Sequence, residues 1–179
     1  RQCDRMIRAR ERNRRELLVG QCLRFWPEYQ VLKDAVGQGT YGRLRTLYME
    51  RLGAVPQWSA ENWMCDAARS GGAILDLHLH DVDWVLDALG LPQSVAACGA
   101  EAPLWGLCDV TAIWRYAAGP AVTLRSSWLH RWFRMTFEAV FENAILRFGC
   151  APETKLHLLR PGSSEPELIP FTPANGYER

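Results

Sequence analysis

The sequence predicts an α+β domain with an open, predominantly antiparallel β-sheet and helices packed on one face. Two observations lead to this fold class. Segments with helical periodicity come first, and short segments rich in β-branched and aromatic residues follow from Ser94 onward, separated by glycine, proline or polar breaks. Helices followed by a meander of strands are typical of α+β proteins, and 179 residues fit about one domain.

The first part of the chain contains four predicted elements. Residues 1–16 repeat charged side chains without turn residues, which indicates a solvent-exposed helix. The apolar residues 17–25 have the length of a strand. A helix then begins at Pro27 and ends at a pair of glycines. The alternation from Arg43 to Arg51 indicates another strand.

A second strong helix and a series of strands complete the prediction. After a loop over residues 56–62, the helix begins at the Ser70-Gly71-Gly72 sequence and ends at Gly90. Its apolar residues form one stripe that we expect to mark the side facing the core: Leu75, Leu79, Val82, Leu86 and Leu89. The strand-like segments are 94–102, 108–119, 121–130, 133–149, 153–162 and 165–171.

The sheet face without helices must be covered or remain partly apolar. The strand segments carry large aromatic residues: Trp114, Trp128, Trp132, Phe133, Phe137 and Phe141. We therefore expect a homo-oligomer in which a partner subunit packs on the open face of the sheet.

Composition argues against several classes of function. A net charge of +1 gives no overall field that would attract nucleic acid or an anionic membrane, and an arginine-rich first helix is more simply a solvated face. The sequence shows no signal peptide and no apolar run that could span a bilayer. The six cysteines form no C-x-x-C pair, so we expect reduced thiols in a cytoplasmic protein.

The candidate site lies between Gly71 and Asp83. On a helix, Asp76 and His80 are four residues apart and lie about 40 degrees apart on one face. The carboxylate could fix the tautomer of the imidazole and raise its basicity, which leaves the other ring nitrogen free to take a proton. The same pair could also be purely structural, and the residues alone leave both interpretations open.

The letters of this segment also fit a metal-binding strand. Asp76, His78 and His80 spell D-x-H-x-H, and on a strand the two histidines would share one face. On a helix they lie about 200 degrees apart and could not hold one metal ion. Because the apolar stripe favours a helix and only His130 and His157 follow, we expect no metal.

Several motifs, in this order, resemble the C-terminal domain of Gfo/Idh/MocA-family oxidoreductases (glucose-fructose oxidoreductase and inositol dehydrogenase-like). The resemblance covers nearly the whole chain. It rests on segment 20–44, the W-x4-W from Trp58 to Trp63, and segments 70–92, 110–116 and 171–179. The hallmark is GG-x3-D-x3-H-x2-D, matched here by Gly71, Gly72, Asp76, His80 and Asp83.

The resemblance implies a dehydrogenase of two domains. A Rossmann domain would bind NAD or NADP, and the sheet domain would present a sugar, inositol or related polyol. His80 would handle the proton of the substrate hydroxyl, and Asp76 would orient that histidine or the substrate. No metal would be involved. Arg24 and Trp63 are further candidates for lining the substrate or cofactor cleft, because arginine can pair with hydroxyls or phosphates and tryptophan can stack on a sugar. Each could equally be a packed or salt-bridged residue.

The resemblance also implies a division of the chain. Residues 1–16 would be a remnant helix or connector from the Rossmann domain. Residues 17–179 would form the substrate-side sheet domain without its final helix. The phosphate-binding turn and the E-K-P motif would belong to the other half, so we expect this chain alone to be inactive. His78, where many relatives carry a small residue, departs from the family pattern and could narrow the pocket, but the sequence does not assign it a role.

A second hypothesis comes from a different class of function. The chain could be a non-catalytic sheet domain for oligomerisation or protein binding. In that case Asp76 and His80 should point into the core, whereas a catalytic role requires that they face an open cleft.

Overall fold

A computed structural model describes residues 2–149 and 155–171. The fold is an open sheet of eight strands with helices on one face. The strand order is β2-β3-β4-β1-β5-β6-β7-β8. The strands are β1 Leu44–Ala54, β2 Ser94–Ala102, β3 Gly106–Arg115, β4 Ala121–Ser127, β5 Leu129–Phe141, β6 Ile145–Gly149, β7 Lys155–Leu159 and β8 Glu167–Ile169.

The helical elements precede the strands β2 to β8 in the chain. They are α1 Gln2–Asn13, α2 Pro27–Gln38, α3 Ala67–Ser70 and α4 Leu79–Leu89, with 3-10 turns at Cys22–Phe25 and Ala60–Cys65 and a π-helical segment at Ile74–His78. Strand β1 pairs in parallel with β4, and every other neighbouring pair is antiparallel. The predicted fold class is therefore confirmed.

The core lies between the sheet and helices α2 and α4. Tyr29 of α2 is fully buried, and its ring centroid lies 5.9 Å from that of Trp84 on α4 and 5.4 Å from that of Phe137 on β5. On β1, Leu47 and Met49 point to the same side. This packing fixes α4, and with it the candidate site, against the middle of the sheet.

The strand prediction for residues 17–25 is wrong. The chain has no strand at 17–21 and forms a 3-10 turn at Cys22–Phe25. Leu18 and Val19 are 87% and 79% exposed, so this apolar run has neither a neighbouring strand nor a core to cover it. Length and hydrophobicity alone cannot distinguish such a segment from a strand.

The apolar stripe of the second helix faces the core only in part, because Val82, Leu86 and Leu89 pack against the core and the first two leucines do not. Leu75 and Leu79 are 58% and 39% exposed. The buried side consists of Leu77 and His78 in the π-helical segment and Asp81, Trp84 and Val85 in α4. A π-helical turn contains more residues than an α-helical one, so it rotates the face that meets the sheet. The buried face also includes polar residues, which a count of apolar residues cannot anticipate.

The large aromatic residues of the strands do not make the open face apolar. We expected a subunit interface there because of these residues, and that reason is wrong. Trp114, Trp128, Phe137 and Phe141 are buried, and only Trp132 and Phe133 of the six are exposed. The open face instead carries polar side chains such as Tyr48, Glu50, Arg125 and Arg134. The predicted strand 133–149 is also divided, into β5 and β6.

Helix α1 contributes nothing to the core. None of its residues is buried, whereas the other described helices of eight residues or more each bury part of one face. The predicted boundary at residue 16 stays a prediction. No helix in residues 2–149 and 155–171 is long and apolar enough to cross a membrane.

Candidate functional site

The site begins at two glycines that let the chain pass close to β3. Gly71 and Gly72 have φ values of 81° and 73°, in the left-handed region that favours glycine. A Cβ on Gly72 would lie 2.9 Å from the carbonyl oxygen of Leu107. The π-helical segment Ile74–His78 follows directly, and segments of this kind are frequent at functional sites.

Asp76 and His80 line the same solvent-open cleft, which has a volume of about 420 Å³. Both side chains are half-buried. The opposite walls come from the end of β1, the loop after it and the start of β5. These walls include Arg51, Gly53, Trp58, Arg131 and Phe133. The structure thus places the two predicted site residues on one open surface.

The surroundings of His80 favour the neutral form of its imidazole. Burial lowers the pKa of its imidazole, and the positive charge of Arg51 lowers it further, against the opposing effect of Asp81, Asp76 and Asp83. Its Nδ1 atom is buried and has no hydrogen-bond partner in the described part of the chain. The sequence suggested an imidazole of raised basicity, but the net shift is in the opposite direction. A neutral imidazole near pH 7 can accept a proton.

Asp76 is fixed by a neighbour that the sequence did not indicate. The indole nitrogen Nε1 of Trp128 donates a hydrogen bond of 3.1 Å to its carboxylate. No direct hydrogen bond joins Asp76 and His80, so the carboxylate acts on the imidazole through its charge. The predicted orienting contact is therefore electrostatic in this structure.

A buried ion pair that sequence reasoning missed attaches α4 to the sheet. Arg51 on β1 and Asp81 on α4 are 4% and 1% exposed. Their Nη2 and Oδ1 atoms are 2.9 Å apart, and Nε lies 3.3 Å from Oδ2. One signal was available, because Arg51 continues the alternation of Leu47 and Met49 and so belongs to the core-facing side. The pair positions the residue that follows His80.

The other two predicted site residues lie outside the cleft lining. Arg24 forms ion pairs with Asp83, at 2.6 Å from Nη2 to Oδ1, and with Asp87, at 3.0 Å from Nη1 to Oδ1. These contacts fasten the 3-10 turn Cys22–Phe25 to α4. Trp63 is 39% exposed in the turn Ala60–Cys65. Substrate binding by Arg24 and Trp63 stays a prediction.

His78 does not line the cleft, so the narrowing that its departure from the family pattern could have caused is not found. It is 5% exposed, and its Nδ1 lies 3.1 Å from the hydroxyl oxygen of Ser126 on β4. The side chain points to the sheet because it lies on the buried side of the π-helical segment. Within the described ranges, no group of three or more His, Cys, Asp or Glu residues is arranged to hold a metal ion.

One glycine pattern in this chain has the same spacing as a nucleotide-binding motif. We had expected no phosphate-binding turn in this half of the protein. Gly37, Gly39 and Gly42 spell G-x-G-x-x-G. In a dinucleotide-binding domain this turn follows a strand and begins a helix. Here it ends α2 and precedes β1, with Gly39 at the helix C-terminus at a φ of 64°. The pattern serves as a helix stop.

Solved structures share this fold at low sequence identity. UDP-N-acetylglucosamine 3-dehydrogenase from Acidithiobacillus ferrooxidans has a TM-score of 0.73 and 22% identity, over 97% of this chain and 52% of its own. The WlbA dehydrogenase from Bordetella pertussis, solved with NADH and UDP-GlcNAcA, has a TM-score of 0.70 and 22% identity, over 82% of this chain and 44% of its own. Levoglucosan dehydrogenase, solved with NADH and levoglucosan, has a TM-score of 0.69 and 17% identity, over 85% of this chain and 45% of its own.

The chain spans about half the length of these solved structures. No curated protein matches its sequence. A family model described as the GFO/IDH/MocA C-terminal domain matches residues 29–147, which is more than half of the 179 residues. This range includes most of α2, and all of β1, the cleft and β5. The chain therefore belongs to the Gfo/Idh/MocA family, and the part it contains is the C-terminal domain.

Proposed function

We propose that this chain is the substrate-binding and catalytic half of an NAD(P)-dependent dehydrogenase that acts on a sugar, an inositol or a related polyol. The observation that carries the proposal is the position of the His80 imidazole in the wall of an open cleft, where burial lowers its pKa. The position of Asp76 and His80 in this cleft also favours catalysis over a purely structural role, which would bury both in the core.

The proposed chemistry divides the oxidation of an alcohol into two transfers. His80 takes the proton of the substrate hydroxyl, for which it must be neutral beforehand. The carboxylate of Asp76, held by the Trp128 indole, stabilises the imidazolium that results. A nicotinamide dinucleotide, when bound, supplies the acceptor for the hydride that leaves the substrate carbon.

The walls of the cleft fit the reacting end of such a cofactor better than its phosphates. Aromatic side chains line the same cleft as His80, but the G-x-G-x-x-G letters lie at the end of a helix, where they cannot form the phosphate-binding turn. We therefore assign dinucleotide binding to a separate nucleotide-binding domain that covers the cleft. Exposed apolar residues of the cleft support such a docking surface: Trp58 and Phe133 are 81% and 51% exposed.

The related structures support the proposed class of reaction, because they are dehydrogenases. Two of them were solved with NADH, together with levoglucosan in one and UDP-GlcNAcA in the other. Those ligands belong to the relatives, and for this chain we infer only the class of sugar or polyol.

The test is turnover by the intact protein with NAD and with NADP on a panel of sugars and polyols. His80→Ala should lower kcat by at least about 100-fold, which is the usual contribution of a positioned acid or base. His157→Ala is the matched control, because His157 lies on β7 at the opposite face of the sheet. Near-normal turnover in His80→Ala would refute the role assigned to His80.

A further inference from the structure

The charged residues of the cleft are not all neutralised. The guanidinium of Arg51 is paired with Asp81, and the carboxylate of Asp76 accepts a hydrogen bond from Trp128. Arg131 lines the same cleft, and within the described ranges no carboxylate lies within 4.0 Å of its guanidinium. The cleft therefore contains one cationic side chain that is available to a ligand.

This lack of a partner sets Arg131 apart from most arginines of the sheet. On strands β1, β4, β5 and β6, the arginines that pair with a carboxylate are Arg45, Arg51, Arg125, Arg134 and Arg147. Arg134 is only three residues further along β5 and pairs with Glu50 on the open face. The difference is thus one of position, because Arg131 faces the cleft.

An irregularity in the sheet brings Arg131 to this position. Strand β5 pairs with β1 at Arg134↔Leu52 and again at Leu129↔Ala54. Between these pairs β5 has residues 130–133, whereas β1 has only Gly53. The extra residues must leave the regular ladder, and bulges of this type re-aim side chains next to functional sites. Both Arg131 and Phe133 then line the cleft that contains His80.

We propose that Arg131 binds an anionic group of the substrate, a carboxylate or a phosphate, and so selects acidic sugars over neutral ones. This inference rests on the proposed function and specifies its substrate class. A guanidinium offers a planar fork of N–H donors that matches both anions in two-point contacts. The apolar faces of Trp58 and Phe133, in the same cleft, can contact the sugar ring.

The experiment compares three probes on the intact protein: D-glucuronate, D-glucose 6-phosphate and the neutral D-glucose. Affinity is measured by ligand-observed NMR, and kcat/KM is measured with NAD and NADP. At least one acidic probe should bind more tightly than glucose. Arg131→Gln should weaken that probe by roughly 10- to 100-fold and change glucose binding by less than about twofold. The acidic probe that responds identifies the anion as carboxylate or phosphate.

Arg115→Gln is the matched control, since it removes the same charge from an exposed position of β3 outside the cleft. It should leave the preference for the acidic probe unchanged. Equal loss in Arg115→Gln and Arg131→Gln would overturn the proposal, because a general field would then explain the preference. Equal affinity for acidic and neutral probes, or binding of none of them, would also overturn it.

The two proposals fail in different ways. An Arg131-dependent preference in the NMR measurement without any NAD(P)-dependent turnover would retain the anion site and reject the dehydrogenase. Turnover of neutral and acidic sugars with equal kcat/KM, in the wild type and in Arg131→Gln, would retain the dehydrogenase and reject the anion site.

Discussion

His80 depends on a second layer of residues for its position and its charge state. Arg51 and Asp81 hold the start of α4 on the sheet, and Arg51 also lowers the pKa of the imidazole. Of these residues, the sequence identified only His80, because its spacing from Asp76 and the glycines is a motif. The alternation on β1 indicated that Arg51 faces the core, but its pairing with Asp81 and the position of Arg131 could not be predicted, since each depends on contacts between residues far apart in the chain.

The buried ion pair should be a major determinant of stability. Asp81→Asn leaves the Arg51 guanidinium buried without its counter-ion, so we expect a loss of about 3–5 kcal/mol in the free energy of unfolding. Urea denaturation measures this loss. Arg45→Gln breaks the exposed contact with Glu142, which solvent screens, and should cost much less in the same measurement. Equal costs for the two variants would contradict the assignment.

At the scale of elements, the segment that leads into α4 explains why the site was only partly predictable. The sequence indicated a helix from the glycines onward, and the structure has a π-helical segment followed by α4. Helical periodicity cannot reveal a π-helical turn, because its extra residue changes the phase of the pattern. At its start, the buried side therefore contains His78 and Asp81 instead of Leu75 and Leu79.

Gly72 should be required for this local geometry. Gly72→Ala adds a Cβ at 2.9 Å from one backbone oxygen and 3.0 Å from another, those of Leu107 and Trp105, at a φ of 73°. Gly39→Ala is the matched control, because its φ is 64° and nothing lies within 4 Å of its Cβ. We expect a loss of about 1–2 kcal/mol for Gly39→Ala from the left-handed backbone alone. Gly72→Ala should cost more in urea denaturation, and equal losses would show that the close approach to β3 is unimportant.

For the whole molecule, the order of helices and strands was enough to predict an open sheet with helices on one face. The parallel pairing of β1 with β4 and the polar character of the open face were not predictable. Both depend on which strands become neighbours, and sequence spacing does not specify this. The open face carries ion pairs of mixed sign, such as Glu50 with Arg125 and Glu138 with Arg147, around a cavity of about 670 Å³.

We propose that a second copy of the chain packs on this open face, because charges of both signs can pair across a twofold axis. Light scattering should show a dimer. Tyr48→Glu introduces a negative charge beside Glu50 and should lower the dimer fraction. Ala117→Glu, at an exposed turn between β3 and β4, should leave it unchanged. A monodisperse monomer in the wild type would contradict a sheet-to-sheet dimer.

The pH dependence of kcat/KM for alcohol oxidation by the intact protein tests the central role of His80 most directly. Because burial and Arg51 lower the pKa of His80 from its ordinary value of 6.5, the imidazole should be neutral and active above that pH. The wild-type rate should fall only as the pH drops further and the ring becomes protonated. In His80→Gln this acidic limb should disappear together with most of the activity. An acidic limb that persists in the variant would show that another group takes the proton.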